Sequence, residues 1–466
     1  MIPLPLSTIA ELTGGVLHTE RPETVVGGPV VIDSRAVEPG ALFAAFKGER
    51  VDGHDFAAAA LAAGAAGVLA QRRWDGPPDG PAVIVDDVQK ALGLLARGVL
   101  ARLPDTTVIG VTGSAGKTST KDLIAQLVRH AGETIAPPGS FNNEIGLPLT
   151  ALRADAGTRH LVLEMGARGA GHIAYLTRIA RPRIGVVLNV GSAHLGEFGG
   201  KEMIARAKGE LVEAVPRRGT AVLNADDPLV RAMAARTPAK IVLFGRAPDA
   251  TVRAADERLD DTGRARFSLV TPEGTAPVAL RLHGAHAVSN ALAAAAVARE
   301  TGMEPHAVAE ALSAAEPASR WRMEVTETPG GVTVVNDAYN ANPDSVRAAL
   351  DTLAHMARGR RAFAVLGEMG ELGASSMAEH AKIGQHVARS GLAGLIVVGE
   401  AAAAMAEGAG QVGSWTGECV QVDDVGAALT ALRERLRPRD VVLVKGSRVT
   451  GMERVAAGLL GETTHD

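Results

Sequence analysis

A glycine-rich segment lies between a buried-strand pattern and an amphipathic-helix pattern. It reads Thr112-Gly113-Ser114-Ala115-Gly116-Lys117-Thr118, and Ser119 follows it. The strand, the turn and the start of the helix together direct backbone N–H groups and the positive end of the helix dipole at a phosphate. The lysine adds charge and the threonine a hydroxyl for Mg²⁺. The strict phosphate-loop pattern requires glycine where this chain has Val111, but the context still predicts a phosphate-binding loop.

Further polar residues follow other predicted strands of the same region. Glu164 ends the run Leu161-Val162-Leu163, and a carboxylate beside a phosphate loop could hold Mg²⁺. His194 comes five residues after Asn189, and taken alone it is more typical of a structural histidine. Lys208 falls on a predicted helix over residues 201–215 and taken alone indicates a solvent-exposed lysine. His286 and Asn290 share one helix face, where they could face a base or ribose, or simply pack.

A second polar cluster lies in the last third of the chain. The run from Asn336 to Pro343 follows the strand pattern at 332–335, and polar groups this dense at a strand end predict a ligand. Arg320 and Lys445 could each supply a cation to a phosphate or carboxylate, or be solvated.

The elements that must position these residues form an α/β pattern in three parts. Strand-like and helical segments alternate along the chain, which favours mostly parallel sheets covered by helices. Residues 251–283 instead alternate with period two and predict antiparallel hairpins. The pattern predicts a small N-terminal α/β domain, a central domain with a phosphate-loop-type sheet, and a third, Rossmann-like α/β domain, at residues 1–86, 87–317 and 318–466.

Composition excludes several classes of protein. The 466 residues are 46% apolar and 21% charged, typical of globular proteins, and the net charge is 48 − 52 = −4 with no basic tract for nucleic acid. A single cysteine, Cys419, excludes an internal disulfide. The start of the chain lacks a signal-peptide pattern, and no apolar run could insert into a membrane. We therefore expect a cytoplasmic location.

These motifs, in this order along the chain, resemble those of the Mur ligase family. They are the phosphate loop, Glu164, the Asn189 and His194 pair, and the run Asp337-Ala338-Tyr339-Asn340-Ala341-Asn342-Pro343. The resemblance covers all three domains. It implies an ATP-dependent, amide-forming ligase of peptidoglycan synthesis, with an N-terminal UDP-binding domain, a central ATPase domain and a C-terminal domain for the incoming amino acid or peptide.

Within the family, the chain is most similar to the member that adds D-alanyl-D-alanine to UDP-N-acetylmuramoyl-tripeptide. The similarity lies in the runs at 33–35, 43–48, 52–56 and 139–148, and departures are Ala287 and Ser319, where the family has asparagine and glycine. The resemblance implies a monomer. It implies these substrate-binding residues: Ser34, Arg35, Lys47, Asp52, His54, Asn142, Asn143 and Asn342.

The resemblance also implies the catalytic machinery. ATP would phosphorylate the tripeptide carboxylate, and the dipeptide amine would attack the acyl phosphate. Two Mg²⁺ ions are implied, one at Thr118 and Glu164 and one at His194 and Lys208, with Lys208 carbamylated. The implied catalytic residues are Lys117, Glu164, His194 and Lys208. The implied ATP-binding residues are Thr112 to Ser119, His286, Asn290, Arg320, Asp337, Tyr339 and Asn340.

Alternatives stay open at this point. One is a ligase of the same architecture that adds a single amino acid, or one that resembles folylpolyglutamate synthase. Another is a non-catalytic nucleotide-binding scaffold, although Lys117, Glu164, His194 and Lys208 are all present. A dinucleotide oxidoreductase is disfavoured because no Gly-x-Gly-x-x-Gly follows a strand. The third residue of the tripeptide, meso-diaminopimelate or lysine, stays open as well.

Overall fold

The computed structural model describes residues 1–48, 51–74, 80–191 and 200–462. These residues form three large sheets and one two-stranded sheet, with helices packed on the large sheets. The predicted α/β class with mostly parallel sheets is confirmed. The proposed boundaries after residues 86 and 317 fall between the large sheets and stay predictions. No helix in the described ranges is long and apolar enough to cross a bilayer.

The N-terminal sheet has five strands, of which only the first runs antiparallel to its neighbour. Their order across the sheet is Val16–His18, Ala82–Ile84, Gly67–Ala70, Leu42–Ala44 and Val30–Val31. Leu4–Pro5 pairs with Val25–Val26 in the two-stranded sheet. The helices of this region are Leu6–Thr13 and Ala57–Ala62, with 3₁₀ turns at Ser34–Ala36 and Gly53–Phe56.

A connecting helix, Val88–Leu100, joins the N-terminal and central regions. Asp87 caps it by accepting a hydrogen bond from the Lys90 amide, which satisfies one of the free N–H groups of the first turn. Its apolar face packs on Leu6–Thr13 and on the central helices Gly146–Ala151 and His172–Ile179. The two regions therefore share one continuous apolar core.

The central sheet has nine strands and carries the phosphate loop on an inner strand. Their order is Gly274–His283, Arg264–Thr271, Val252–Leu259, Lys240–Gly245, Thr220–Asn224, Ile184–Val187, Thr107–Thr112, His160–Glu164 and Thr134–Ile135. The first three are antiparallel, which confirms the predicted hairpins, and the other pairings are parallel. The helices are Lys117–Val128, Gly146–Ala151, His172–Ile179, Lys201–Ala214, Pro228–Arg231, His286–Glu300 and Pro305–Ala314.

The register of the inner strands brings polar residues to one edge. Glu164 is opposite Val111, and Val187 is opposite Thr112. Because parallel strands end on the same side of a sheet, the phosphate loop, Glu164 and the segment after Val187 meet there.

The C-terminal sheet has six strands, of which the first is antiparallel to its neighbour and was not predicted. Their order is Glu324–Glu327, Thr333–Asn336, Val441–Lys445, Ala362–Leu366, Gly394–Val398 and Glu418–Val422. The helices are Pro343–Met356, Ser376–Arg389, Ala404–Gly410, Val425–Arg435 and Glu453–Leu460. This region docks on the central one. His355 Nε2 donates to Asp260 O at 2.8 Å, and Asn342 Nδ2 donates to Ser114 O at 3.4 Å.

Candidate active site

The phosphate loop folds as its sequence predicts. Gly116 precedes the helix Lys117–Val128 with a φ of 79°, and a Cβ atom there would lie 2.7 Å from Asn290 Oδ1. Conformation and space both require glycine at this position. Lys117 Nζ donates to Gly113 O at 2.9 Å, so the lysine folds over the loop. Val111, where the strict pattern has glycine, is a buried strand residue paired with Glu164.

Asn189 holds the phosphate loop from the neighbouring strand end. Its Oδ1 accepts hydrogen bonds from the amides of Ser114 and Ala115, both at 2.9 Å, and its Nδ2 donates to Ala115 O at 3.1 Å. The Gly191 amide donates to Ser114 Oγ at 2.9 Å. Asn189 was predicted as a strand end and as part of the family motif with His194, but its contact with the phosphate loop was not predicted from the sequence.

Glu164 is a buried carboxylate whose hydrogen-bond donors are all neutral. Thr118 Oγ1 donates to Oε2 at 2.8 Å, while Ser140 Oγ and Asn142 Nδ2 donate to Oε1 at 3.0 and 2.7 Å. Glu164 is only 1% exposed, and within the described ranges its hydrogen bonds come from these neutral side chains and not from a lysine or arginine. A buried carboxylate without a paired basic side chain, next to a threonine hydroxyl and a phosphate loop, fits a hard divalent cation such as Mg²⁺.

A buried lysine, Lys208, and a partly buried one, Lys117, line the same cavity as this carboxylate. Burial lowers the pKa of Lys208 well below the ordinary lysine value, and the charge of Lys117 lowers it further. Burial also lowers the pKa of Lys117, and Glu164 partly opposes this shift. Lys208 is 3% exposed on the inner face of Lys201–Ala214. The solvent-exposed interpretation of Lys208, taken without context, is therefore wrong.

The C-terminal region contributes a buried ion pair to the opposite wall. Lys445 Nζ donates to Asp337 Oδ2 at 2.6 Å and to Asn340 O at 2.8 Å. Asp337 Oδ1 accepts from the Met323 amide at 3.2 Å. Burial lowers the pKa of Lys445, and Asp337 acts in the opposite direction. The pair fixes the turn that presents Tyr339 and Asn340 to the cavity.

The arginine that reaches the phosphate loop is Arg322 rather than Arg320. Arg322 Nη2 donates to Thr118 Oγ1 at 3.0 Å, and its guanidinium lies 4.0 Å from the centre of the Tyr339 ring. Arg320 is exposed, lies over the Trp321 ring and does not line the cavity. The sequence favoured Arg320 because it lies shortly after the boundary predicted at residue 317. Positive φ angles at Trp321 and Met323, which no local pattern predicts, flank the arginine that reaches the cavity.

Two buried polar atoms at the cavity have no protein partner among the described residues. They are His286 Nδ1 and Arg322 Nε. Burial lowers the pKa of His286, with Asp337 opposing and Lys445 reinforcing the shift. Unpaired buried donors and acceptors are rare because each loses its hydration. Their presence at one cavity indicates a polar ligand there.

The cavity between the central and C-terminal regions has a volume of about 640 Å³. Thr112, Gly113 and Arg320 do not line it, and His194 lies outside the described residues. Sequence analysis missed Ser140, Asn189 and Arg322 as lining residues. The predicted residues that line the cavity are Ser114 to Ser119, Asn142, Asn143, Glu164, Lys208, His286, Asn290, Asp337, Tyr339, Asn340 and Asn342.

Two of the lining asparagines also have local structural contacts. Asn143 Oδ1 accepts from the Gly146 amide at 2.8 Å, next to the start of helix Gly146–Ala151. Asn342 caps helix Pro343–Met356 by accepting from the Ser345 amide at 2.9 Å. Their proposed contacts with substrate stay predictions.

The five N-terminal residues predicted to bind substrate lie away from this cavity. Ser34 follows Asp33, which forms an ion pair with the exposed Arg35 at 2.7 Å. His54 is buried, accepts from the Gln71 amide at Nε2, and therefore donates from Nδ1 to Asp52 Oδ1 at 2.5 Å. The His54 amide also donates to Asp52 Oδ1 at 3.0 Å, and this hydrogen bond, together with the one from the His54 ring, holds the pKa of Asp52 at about 2. Lys47 is exposed, and its backbone pairs with that of Asp52.

The chain matches known protein families over most of its length. Three families match successive parts of the chain: the Mur ligase family catalytic domain at 29–100, the Mur ligase middle domain at 111–298, and the Mur ligase glutamate ligase domain at 321–448. The chain belongs to the Mur ligase family. This Mur ligase is 48% identical over 508 residues to the UDP-N-acetylmuramoyl-tripeptide--D-alanyl-D-alanine ligase of Mycobacterium tuberculosis, covering 100% of this chain and 99% of that protein.

More distant relatives and solved structures agree. The Escherichia coli protein of the same name is 35% identical, over 98% of this chain and 99% of that protein. A crystal structure of MurF from Acinetobacter baumannii superimposes with a TM-score of 0.89 at 31% identity, covering 99% of this Mur ligase and 100% of that chain. MurF from Thermotoga maritima in complex with ADP gives a TM-score of 0.81 at 31% identity, over 94% and 98% of the two chains.

Proposed function

We propose that this Mur ligase uses ATP to join D-alanyl-D-alanine to UDP-N-acetylmuramoyl-tripeptide in peptidoglycan biosynthesis. The observation that carries the proposal is the convergence of the phosphate loop, Glu164 and Lys208 in one cavity that the C-terminal region completes. Relatives that share the whole length of the chain have this activity in their names, and one structural relative holds ADP. Since ATP and uridine-nucleotide precursors are metabolites of the cytoplasm, we place the reaction there.

The reaction proceeds in two balanced steps. The free carboxylate of the tripeptide attacks the γ-phosphorus of ATP, an O–P bond forms, the bond to the β-phosphate oxygen breaks, and ADP leaves. The dipeptide amine then attacks the acyl carbon, and the tetrahedral intermediate expels inorganic phosphate and loses a proton. The first step brings two anions together, and the second develops negative charge on the tetrahedral intermediate and the leaving phosphate, so positioning and charge neutralisation provide most of the acceleration.

The phosphate-loop side supplies that neutralisation. The backbone N–H groups at the start of helix Lys117–Val128 would face the phosphates, and the Lys117 ammonium lies over the loop, whose Ser114 and Ala115 amides are held by Asn189. We assign nucleotide binding to the predicted loop residues and to His286, Asn290, Asp337, Tyr339 and Asn340. Arg322 takes the place first assigned to Arg320, because it donates to Thr118 from the opposite wall.

Thr118 and Glu164 would hold Mg²⁺, which offsets phosphate charge when bound. Among the described residues, no group of three or more His, Cys, Asp or Glu side chains converges on a metal site. The ion would therefore complete its oxygen shell with ATP oxygens and water, as Mg²⁺ commonly does. We assign a second ion to His194 and Lys208.

Lys208 is suited to carbamylation. A depressed pKa leaves its amine neutral and able to add CO₂. The product is an anion that accepts hydrogen bonds and binds Mg²⁺, whereas an ammonium would repel it. The carbamate anion would also attract the Lys117 ammonium, whereas a protonated Lys208 would be repelled by it.

The substrates enter from the other sides of the cavity. We assign the tripeptide to Asn142, Asn143 and Asn342 near the reacting carboxylate, and the uridine nucleotide to the N-terminal region with Ser34, Arg35, Lys47, Asp52 and His54. The docked C-terminal region would exclude water from the acyl phosphate, which hydrolyses if exposed. We assign a monomer to this reaction.

Phosphate release from MgATP tests the assignment. Purified protein is incubated with UDP-N-acetylmuramoyl-tripeptide, with and without D-alanyl-D-alanine, and the mass of the product is measured by mass spectrometry. We expect release that requires both substrates, and a product heavier by the dipeptide residue mass. Release with single amino acids but not with the dipeptide would move the assignment to a sister ligase, and no release would favour a non-catalytic scaffold.

A further inference from the structure

A buried ion pair lies one turn beyond the phosphate loop and has no place in the proposed chemistry. Lys121 is fully buried, and its Nζ lies 2.5 Å from Asp122 Oδ1. The same ammonium donates to Pro137 O at 2.7 Å and to Gly139 O at 3.1 Å. These acceptors match the three hydrogens of the ammonium. Lys121 does not line the cavity formed by the described residues.

The two carbonyls belong to the segment that supplies two of the donors to Glu164. Ser140 directly follows Gly139, which has a φ of 60°, and Asn142 is two residues further on. Ser140 Oγ and Asn142 Nδ2 both donate to Glu164 Oε1, and Asn142 Nδ2 also donates to Ser140 Oγ at 2.9 Å. Lys121 thus fixes the backbone that aims the neutral donors at this carboxylate.

Asp122 holds a second segment with its other oxygen. Ser319 Oγ donates to Asp122 Oδ2 at 2.6 Å. One turn along the helix, Gln126 Nε2 donates to Glu316 O at 3.0 Å and Gln126 Oε1 accepts from the Glu316 amide at 3.1 Å. The linker to the C-terminal region therefore lies along the phosphate-loop helix. Three residues after Ser319, Arg322 reaches Thr118.

We propose that the Lys121–Asp122 pair is a positioning element for the divalent-cation site. Lys121 acts through residues 137–142 on Glu164, and Asp122 acts through Ser319 on Arg322. Neither residue touches nucleotide or metal, so both are positioning residues. The inference rests on the proposed function only in assuming that nucleotide and a divalent cation bind beside Thr118 and Glu164. Groups that orient a metal ligand tune metal affinity even without contacting the ion.

Metal binding tests the role of Lys121 without any turnover. Mn²⁺ serves as the probe, and its free concentration is read from its electron paramagnetic resonance signal in the presence of ADP. In Lys121→Met, the dissociation constant for Mn²⁺ is expected to rise about 10- to 100-fold. The affinity for ADP without metal is expected to stay within about twofold, because the loop contacts of Lys117 and Asn189 remain. Lys240→Met, which removes an exposed lysine paired with Glu300, is the matched control and should change neither affinity.

A double-mutant cycle separates positioning from general loosening of the fold. If Lys121 acts through Ser140, the loss of Mn²⁺ affinity in Lys121→Met with Ser140→Ala is smaller than the product of the single losses. Lys121→Gln keeps two of the donors and replaces Lys121→Met in the cycle if the latter does not fold. The proposal would be overturned if the loss of Mn²⁺ affinity in the double mutant equalled the product of the single losses. It would also be overturned if Lys121→Met weakened ADP binding without metal as much as Mn²⁺ binding, or left the Mn²⁺ affinity unchanged. Wild-type protein that fails to bind ADP would instead contradict the proposed function.

Discussion

The two facing walls of the cavity are held together in different ways. On the central wall, Glu164 and the phosphate loop have all their main partners within the same region, from Thr118, Ser140, Asn142 and Asn189. On the C-terminal wall, the Asp337–Lys445 pair is equally local. The C-terminal wall is linked to the central wall by longer or single hydrogen bonds, such as those from Asn342 to Ser114 at 3.4 Å and from Arg322 to Thr118.

On the proposed function, this difference separates the first binding of phosphate from the completion of the site. A wall organised by its own contacts can bind phosphate before the C-terminal region docks. The second wall adds Arg322 only when the two regions are in contact. Docking would then complete the charge neutralisation and close the site to water in one movement.

Replacement of Lys208 tests the central wall at its most sensitive point. Lys208→Ala should lower kcat by about 10³-fold, since it removes an anion that would hold metal beside the reacting groups. Short carboxylic acids should restore part of the activity. Lys208→Arg places at this position a cation that cannot be carbamylated, and it should be as inactive as the alanine variant. Unimpaired turnover in Lys208→Ala would remove Lys208 from the mechanism.

Neutralising Glu164 should have the next largest effect. Glu164→Gln keeps the size of the side chain but loses the anionic ligand, so kcat should fall by about 10²-fold and more Mg²⁺ should be needed for half-maximal rate. Titration of turnover with Mg²⁺ measures both. Glu144→Gln, at a partly exposed carboxylate of the same cavity, is the control. An unchanged Mg²⁺ requirement in Glu164→Gln would place the ion elsewhere.

The ion pair of the C-terminal wall makes a stability prediction. Lys445→Met leaves Asp337 buried without its cation, which should lower the free energy of unfolding by about 3–5 kcal/mol. Lys240→Met breaks a half-exposed pair and should cost less than about 1 kcal/mol. Urea unfolding can be followed by fluorescence, because Trp321 and Trp415 both lie in the C-terminal region. Equal losses of unfolding free energy in the two variants would show that burial does not determine how much the Asp337–Lys445 pair stabilises the fold.

A substitution in the N-terminal region, which contributes to neither wall of the cavity, should have the smallest effect. The folded-state pKa of Asp52 is about 2, below its ordinary value of 3.8, chiefly because of hydrogen bonds from His54. Its ionised form therefore stabilises the fold fully above about pH 4, and this contribution is lost as pH falls towards 2. The difference in melting temperature between wild type and Asp52→Asn should shrink between about pH 6 and about pH 3. A constant difference would show that Asp52 does not act through its charge.

What the sequence predicted well depends on local pattern. The phosphate loop, the hairpins near residues 251–283 and the position of Glu164 follow from periodicity and from the rule that parallel strands end on one side. The burial of Lys208 and the choice of Arg322 over Arg320 depend on packing between distant segments. A single lysine on a helix gives no signal of what covers it. Two arginines separated by one tryptophan give none of which one faces a cavity.

The most direct test of the difference between the two walls compares substitutions of two arginines that lie two residues apart. Arg322→Ala and Arg320→Ala are measured for kcat and for the dissociation constant of ADP. The account predicts that kcat falls by about 10²-fold in Arg322→Ala, with ADP affinity within about tenfold of wild type, and that Arg320→Ala behaves as wild type. A larger loss of kcat in Arg320→Ala, or a loss of ADP affinity in Arg322→Ala as large as its loss of kcat, would contradict it.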